Sequence, residues 1–118
     1  MDQSEILNQK QCKPCEGGTQ SLTNEQVLKY LDTLKGWQVS DDGKMISRSF
    51  TMKNFMAAIH LIKNIAAVAE SENHHPDIHL TGYRKLRIDL TTHAIGGLSE
   101  NDFIIASKVN ALPMELKP

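Results

Sequence analysis

A run of apolar residues between positions 55 and 69 constrains the fold of this chain more than any other feature. Apolar side chains recur there at helical spacing, and neither glycine nor proline interrupts them. The pattern predicts a helix from about Met52 to about Ser71 with one apolar side. That side needs a cover, and the apolar face of a sheet is the expected one. The predicted apolar stripe consists of Phe55, Ala58, Ile59, Ile62, Ile65, Ala66 and Ala69.

The segments on either side of this helix alternate between apolar and polar residues, as strands do. Residues 37–50 contain two such segments, separated by the turn sequence Asp-Asp-Gly. Residues 78–90 contain two more, separated by Thr-Gly. Each pair predicts a β-hairpin with one apolar face.

A helix is predicted at each end of this arrangement. Thr23 with Gln26, and Ser99 with Asp102, have the spacing of capping boxes that start helices. The fold class is therefore predicted to be α/β (α+β): a four-stranded antiparallel sheet with helices packed on one face, in the order α-β-β-α-β-β-α. The first helix is expected to end at Gly36. The residues expected on the core-facing stripes are Val27, Leu28, Leu31 and Leu34 in the first helix and Phe103, Ala106, Val109 and Asn110 in the last.

Composition narrows the domain organisation and the partners. A chain of 118 residues, 40% apolar and 23% charged, fits one globular domain. Residues 1–20 are polar without periodicity and are predicted to be a flexible tail, followed by a single domain at 21–118.

The charge and hydropathy patterns exclude some classes of partner. The net charge of −1 provides no basic field for nucleic acid or for a membrane surface. There is no apolar run of about 20 residues and no signal-like start, so a soluble, cytoplasmic protein is expected. Its partners are expected to be small molecules or other protein surfaces.

The two cysteines, Cys12 and Cys15, form one CxxC pair. A structural zinc site usually needs a second close pair of Cys or His ligands, and no second CxxC exists. Reduced thiols on a mobile tail are the favoured interpretation. Metal binding by both cysteines with a distant histidine remains the alternative.

The segment ESENHHPDIH at residues 70–79 carries the main functional signal. Pro76 ends the helix and favours an extended His75, so the side chains of His74 and His75 are expected to point in opposite directions. This disfavours a shared metal ion and favours acid/base chemistry. His93 is expected to end the last strand. If that end of the sheet meets the end of the long helix, one cleft could hold Glu70, His74, His75 and His93.

These residues also have purely structural interpretations. His74 and His75 could be solvated or could cap the helix C-terminus, where the helix dipole favours an imidazolium. Asp102 could serve only in its capping box. The other histidines, His60 and His79, are expected on the helix surface and on the polar face of a strand.

The motifs SFTMKNF, AE, HHP, LTTH, GGLSENDF and ASKVNAL, in that order, resemble those of pterin-4a-carbinolamine dehydratase. The similarity covers about residues 22–112. It implies an antiparallel sheet backed by helices, and dimers or tetramers built partly by joining sheets. The most specific part of the resemblance consists of Glu70, His74-His75-Pro76, Thr92-His93, Gly97-Leu98 and Asp102.

The resemblance also implies an activity. Enzymes of this family dehydrate 4a-hydroxytetrahydropterin to quinonoid dihydropterin and so recycle the pterin cofactor of aromatic amino acid hydroxylases, with no metal or cofactor of their own. Carried over to this chain, His74 and His93 transfer protons, and His75 holds the hydroxyl or the ring. Glu70 and Asp102 orient imidazoles or hold the pterin.

The resemblance has a departure and leaves an alternative. Ile78 stands where many relatives have tryptophan. Vertebrate relatives also bind a homeodomain transcription factor, and no feature of this chain supports that partner. The alternative function is a non-catalytic dimeric binding module, acting as a cofactor of a hydroxylase or of a transcription regulator.

Overall fold

A computed structural model describes residues 7–13 and 20–118 of the chain. Residues 7–9 are helical, and the order of the later elements confirms the predicted α-β-β-α-β-β-α arrangement. A short 3₁₀ helix that the sequence did not predict follows the last strand. The elements are α1 (Asn24–Leu31), β1 (Gln38–Val39), β2 (Ile46–Thr51), α2 (Phe55–Glu72), β3 (Asp77–Thr81), β4 (Lys85–Leu90), the 3₁₀ helix (His93–Ile95) and α3 (Glu100–Asn110).

The four strands form one sheet in the order β1-β2-β4-β3, and every neighbouring pair is antiparallel. The predicted hairpins are both present, and β2 pairs with β4 to join them. Because Ile46 pairs with Leu90, the end of β4 lies beside the start of β2. The four-stranded antiparallel sheet is therefore confirmed.

One face of the sheet is apolar and forms a single core with the helices. The apolar residues that point to this face from β2 and β4 are buried, including Ile46, Phe50 and Ile88, and the partly buried Arg48 lies between Ile46 and Phe50. The opposite face carries polar residues such as Ser47 and Arg87. Alternation along the strands thus divides the sheet into a helix-covered face and a polar face, as predicted.

The helix α2 begins three residues later than predicted, and its buried side overlaps the predicted stripe only in part. Its buried side contains Leu61, which was not in the predicted stripe. Phe55 is 48% exposed and Ala66 is also exposed, so the prediction was wrong for these two. Apolar residues occur on more than one side of this helix, so periodicity alone could not decide which side faces the sheet. The buried residues are Ala57, Ala58, Leu61, Ile65 and Ala69.

The first and last helices start where they were predicted to start. Thr23 and Gln26 form the capping box of α1, which ends at Leu31, before the predicted stop at Gly36. Leu28 is 57% exposed, so its predicted place in the core was wrong. In α3 the core is wider than the predicted stripe, because consecutive residues from 101 to 107 are all buried.

The N-terminal segment is described only at residues 7–13 and residue 20, and several residues between 7 and 13 contact the domain. Leu7 is fully buried in the core. Lys108 donates a hydrogen bond from Nζ to the carbonyl oxygen of Asn8 at 2.7 Å. The division into a tail at 1–20 and a domain at 21–118 stays a prediction. Cys15 lies outside the described residues. No helix among those described is long and apolar enough to cross a membrane.

Candidate active site

The end of α2 and the segment after β4 meet at a pocket of about 420 Å³. His74, His75 and His93 all line it, so the structure brings together the three histidines that the sequence singled out. Strand β4 ends at Leu90, and His93 starts the 3₁₀ helix instead of ending the strand. The remaining lining residues are Cys12, Lys13, Glu72, Asn73, Thr91, Thr92, Ala94 and Asn101.

The backbone at the end of α2 explains how the two adjacent histidines reach the pocket. Asn73 follows the helix with φ of 53°, a left-handed conformation that asparagine tolerates better than most residues. The amide of His74 then donates to the carbonyl oxygen of Ala69 at 3.2 Å. Pro76 prevents the helix from continuing, and β3 starts at the next residue.

The more buried of the two histidine–carboxylate contacts at the pocket joins His74 to Asp102. Nε2 of His74 lies 2.6 Å from Oδ1 of Asp102. The aspartate side chain is fully buried and that of His74 is 13% exposed. When Asp102 is ionised and His74 is neutral, Nε2 of the imidazole carries the proton and donates it, and Nδ1 is a proton acceptor.

Asp102 is itself held by two further donors. Its Oδ2 accepts the hydroxyl of Thr92 at 2.8 Å and the backbone amide of Ser99 at 3.0 Å. The hydroxyls of Thr92 and Ser99 are 2.7 Å apart. Because Thr92 already donates to the carboxylate, Ser99 donates to Thr92. The predicted capping position of Asp102 and its contact with a histidine are therefore parts of one network.

His75 makes a similar contact in a different environment. Its Nε2 lies 2.5 Å from Oε2 of Glu70. These side chains are 54% and 77% exposed, so water surrounds the pair. His74 contacts α3 and His75 contacts α2, as expected if the two imidazoles point in different directions. His93 is exposed and makes no side-chain hydrogen bond with the described part of the chain.

The two remaining histidines lie outside the pocket. His60 is exposed on α2. His79 is on the polar face of the sheet, where its Nε2 lies 2.8 Å from Oδ2 of Asp89. Burial opposes ionisation of Asp89, but hydrogen bonds from Ser47, Arg87 and His79 outweigh it and lower the pKa of this carboxyl.

Sequence reasoning missed several residues of the pocket wall. Asn101 and Glu72 are close in sequence to predicted site residues, but nothing in their type or spacing distinguished them. Thr92 was part of the recognised motif, although its contact with Asp102 was not foreseen. Cys12 had been placed on a mobile tail. Among residues 7–13 and 20–118, no group of three or more His, Cys, Asp or Glu is arranged to hold a metal ion.

The fold and the pocket together define a class: a small α+β domain with a histidine-lined pocket suited to proton transfer. Comparison with known proteins identifies the family within that class. Residues 20–112 match the family model for pterin 4 alpha carbinolamine dehydratase. The chain belongs to this family.

Individual relatives agree with the family match. A Nitrosomonas eutropha protein, provisionally named pterin-4-alpha-carbinolamine dehydratase, is 47% identical over 90% of this chain and 92% of its own length. The mitochondrial pterin-4-alpha-carbinolamine dehydratase 2 of Arabidopsis thaliana is 39% identical over 92% of this chain and 60% of its own length. A crystal structure from Brucella melitensis, described as a transcriptional coactivator/pterin dehydratase, is similar with a TM-score of 0.73 at 35% identity. That match covers 77% of this chain and 96% of the other.

Proposed function

We propose that this protein dehydrates 4a-hydroxytetrahydropterin to quinonoid dihydropterin by histidine acid/base catalysis. The geometry of the pocket supports this proposal most directly. Three histidines line the pocket, and one of them, His74, is hydrogen-bonded to the fully buried Asp102. Membership of the dehydratase family supports this substrate class.

The reaction requires two proton transfers and no redox partner. The C4a–O bond breaks, and the departing hydroxyl takes a proton and leaves as water. The proton on N5 is removed, and the electron pair of that bond forms the C4a=N5 double bond. Imidazole suits both steps because its unperturbed pKa of about 6.5 makes acid and base forms available near neutral pH.

The contacts of each histidine suggest how the tasks are divided. Asp102 holds His74 with Nε2 protonated, so Nδ1 is the atom that would accept the N5 proton. His93, whose ring makes no hydrogen bond to residues 7–13 or 20–118 that would fix one tautomer, would deliver the proton to the departing hydroxyl. His75, on the exposed side, would hold the hydroxyl or the ring.

The test is the rate at which 4a-hydroxytetrahydropterin decays above its spontaneous dehydration. We expect wild-type protein to accelerate the decay, and His74→Ala or His93→Ala to lower kcat by about 10²-fold, as loss of a general acid or base commonly does. His60→Ala is the matched control, because it removes an exposed imidazole outside the pocket. Full activity in both pocket variants would refute the assigned roles, and no acceleration by wild type would refute the function.

The second candidate is a non-catalytic binding module. The Brucella protein, described as both a coactivator and a dehydratase, is the observation that keeps this candidate. A module would bind a hydroxylase or a transcription regulator and leave the pterin decay rate unchanged. Measuring decay and partner binding with the same preparation separates the two functions.

Three further properties are part of the proposal. The pterin recycled would be the cofactor of an aromatic amino acid hydroxylase. The protein would be a cytoplasmic homodimer or homotetramer, although the Arabidopsis relative is named as mitochondrial. Strand β3 is at the edge of the sheet and could pair with a second copy. Sedimentation measurements would reveal a dimer or tetramer, and a monomer at micromolar concentration would contradict this part.

A further inference from the structure

We propose that residues 10–13, here called the N-terminal strap, form a substrate-contacting wall of the histidine pocket, and that Asn101 and Glu72 position this wall. The inference rests on the proposed function, because the expected ligand is the pterin. It assigns a binding role to a segment that lies outside the family motifs and contains none of the residues proposed to transfer protons. Two strap residues, Cys12 and Lys13, line the pocket together with the histidines.

Asn101 holds the strap by a two-point contact. Its Oδ1 accepts the backbone amide of Lys13 at 2.9 Å, and its Nδ2 donates to the carbonyl oxygen of Lys13 at 2.5 Å. The Asn101 side chain thus satisfies both backbone polar groups of one residue, as a neighbouring strand would. Asn101 is 6% exposed and precedes Asp102 on α3, so one rigid helix positions both the strap and His74.

Glu72 holds the strap from the other side of the pocket. Its Oε1 accepts the backbone amide of Cys12 at 2.7 Å. Sγ of Cys12 lies 3.7 Å from the carbonyl oxygen of Asn101. Glu72 is the last residue of α2, two positions before His74. The strap therefore connects α3, which carries Asp102, with the end of α2, which His74 follows by two residues.

Contacts outside the pocket anchor the strap further. Leu7 is fully buried in the core and is not a pocket residue. Lys10 donates from Nζ to Oε2 of Glu100 at 3.2 Å. That carboxylate also accepts the hydroxyl of Tyr30 at 2.8 Å. Five described residues between positions 7 and 13 thus have tertiary contacts, and the strap is held in place before a ligand arrives.

A preorganised wall affects binding more than chemistry. A wall that is already ordered spares the ligand the entropic cost of ordering it, so loosening the strap weakens binding. The proton-transferring imidazoles are not moved by that change. Weaker ground-state and transition-state binding with unaltered chemistry raises KM and leaves kcat unchanged.

The first experiment loosens the strap from outside the pocket. Leu7→Ala removes its core anchor, and Met52→Ala is the matched control, because Met52 is equally buried but lies near the β3–β4 turn, away from the histidines. For Leu7→Ala we expect KM to rise about fivefold or more with kcat within about twofold. For Met52→Ala both constants stay within about twofold of wild type. Circular dichroism shows whether each variant is folded.

The second experiment needs no destabilising variant and no turnover. In a Cys15→Ser background, Cys12 is the only thiol, and its alkylation by iodoacetamide is followed with and without saturating 7,8-dihydrobiopterin. If the strap contacts the ligand, we expect alkylation to slow about fivefold or more, since burial by the ligand limits access to the thiolate.

The outcomes separate this proposal from the proposed function. Wild-type dehydratase activity with unchanged KM in folded Leu7→Ala, or with unprotected Cys12, would overturn the strap and leave the function standing. Protection of Cys12 by the pterin in a protein without dehydratase activity would support the strap and refute the catalytic function. If Leu7→Ala does not fold, protection of Cys12 alone decides.

Discussion

Two histidine–carboxylate pairs flank the same pocket, and they differ in burial more than in chemistry. The distance from His74 Nε2 to Asp102 Oδ1 is 2.6 Å, and the distance from His75 Nε2 to Glu70 Oε2 is 2.5 Å. The Asp102 side chain is 0% exposed, whereas that of Glu70 is 77% exposed. Asp102 also accepts hydrogen bonds from the Thr92 hydroxyl and the Ser99 backbone amide. Glu70 has no side-chain partner other than His75 among the described residues.

A short distance between two groups does not by itself measure how much their contact contributes to stability or activity. An exposed pair exchanges its contact for water at little cost, so it typically contributes about 0–1 kcal/mol. A buried carboxylate with three donors cannot be replaced by water, and changing it leaves donors unpaired. We therefore expect the His74–Asp102 pair to determine tautomer and geometry, and the His75–Glu70 pair to adjust binding.

Asp102→Asn is expected to have the largest effect. The amide has one acceptor atom for donors that approach from two sides, so its NH₂ group must face either His74 or the Thr92 and Ser99 donors. If the NH₂ group faces His74, it donates to Nε2 and favours the His74 tautomer that is protonated on Nδ1 instead of Nε2. We expect kcat to fall about 10²-fold and the free energy of unfolding to fall by about 1–3 kcal/mol. Steady-state kinetics measure kcat, and urea unfolding measures the free energy of unfolding. A decrease in kcat of less than about threefold would contradict the assigned role.

Glu70→Gln tests the exposed pair and is expected to change much less. The amide can still accept a hydrogen bond from His75, and water can replace it. We expect kcat within about threefold and unfolding free energy within about 0.5 kcal/mol of wild type. Repeating the assay at high salt should reduce the difference further. A loss of activity as large as that of Asp102→Asn would show that burial is the wrong basis for ranking the pairs.

A third pair, His79–Asp89, tests whether a pair outside the pocket affects only stability. The pKa of Asp89 is lowered in the fold, so its stabilising contribution is complete above the unfolded pKa of about 3.9 and is lost as pH falls through the folded value. Asp89→Asn should therefore flatten the dependence of the urea midpoint on pH below about pH 4. Activity at neutral pH should remain within about twofold. An unchanged acid slope would contradict this account.

The sequence predicted the fold well because its signals are local. Alternation defined the strands, and the capping boxes at Thr23 and Ser99 located the starts of two helices. Local signals failed where several arrangements satisfy the same pattern. Leu28 and Phe55 fit an apolar stripe but are exposed, since only packing decides which side of a helix is covered. The consecutive burial of residues 101–107 also depends on neighbours from several elements.

The sequence also predicted most of the histidine cluster. Pro76 predicted that His74 and His75 point in different directions, the order of the elements predicted that His93 and Glu70 lie near them, and the family resemblance added Asp102. The sequence did not predict that Asp102 is fully buried and hydrogen-bonded to His74, whereas Glu70 is exposed to water. Nor did it place Cys12 at the pocket, because contacts across about 60 or more residues of chain leave no local pattern.

By itself, the sequence determined the elements, their order, the end of α2 before the histidines and the residue types available for proton transfer. These follow from backbone preferences and hydrophobic periodicity, which act over a few residues. Packing between distant elements settles which carboxylate is buried, which side of α2 faces the sheet and which residues form the remaining wall of the pocket. Those properties depend on solvent exclusion, and solvent is excluded only when elements distant in sequence pack together.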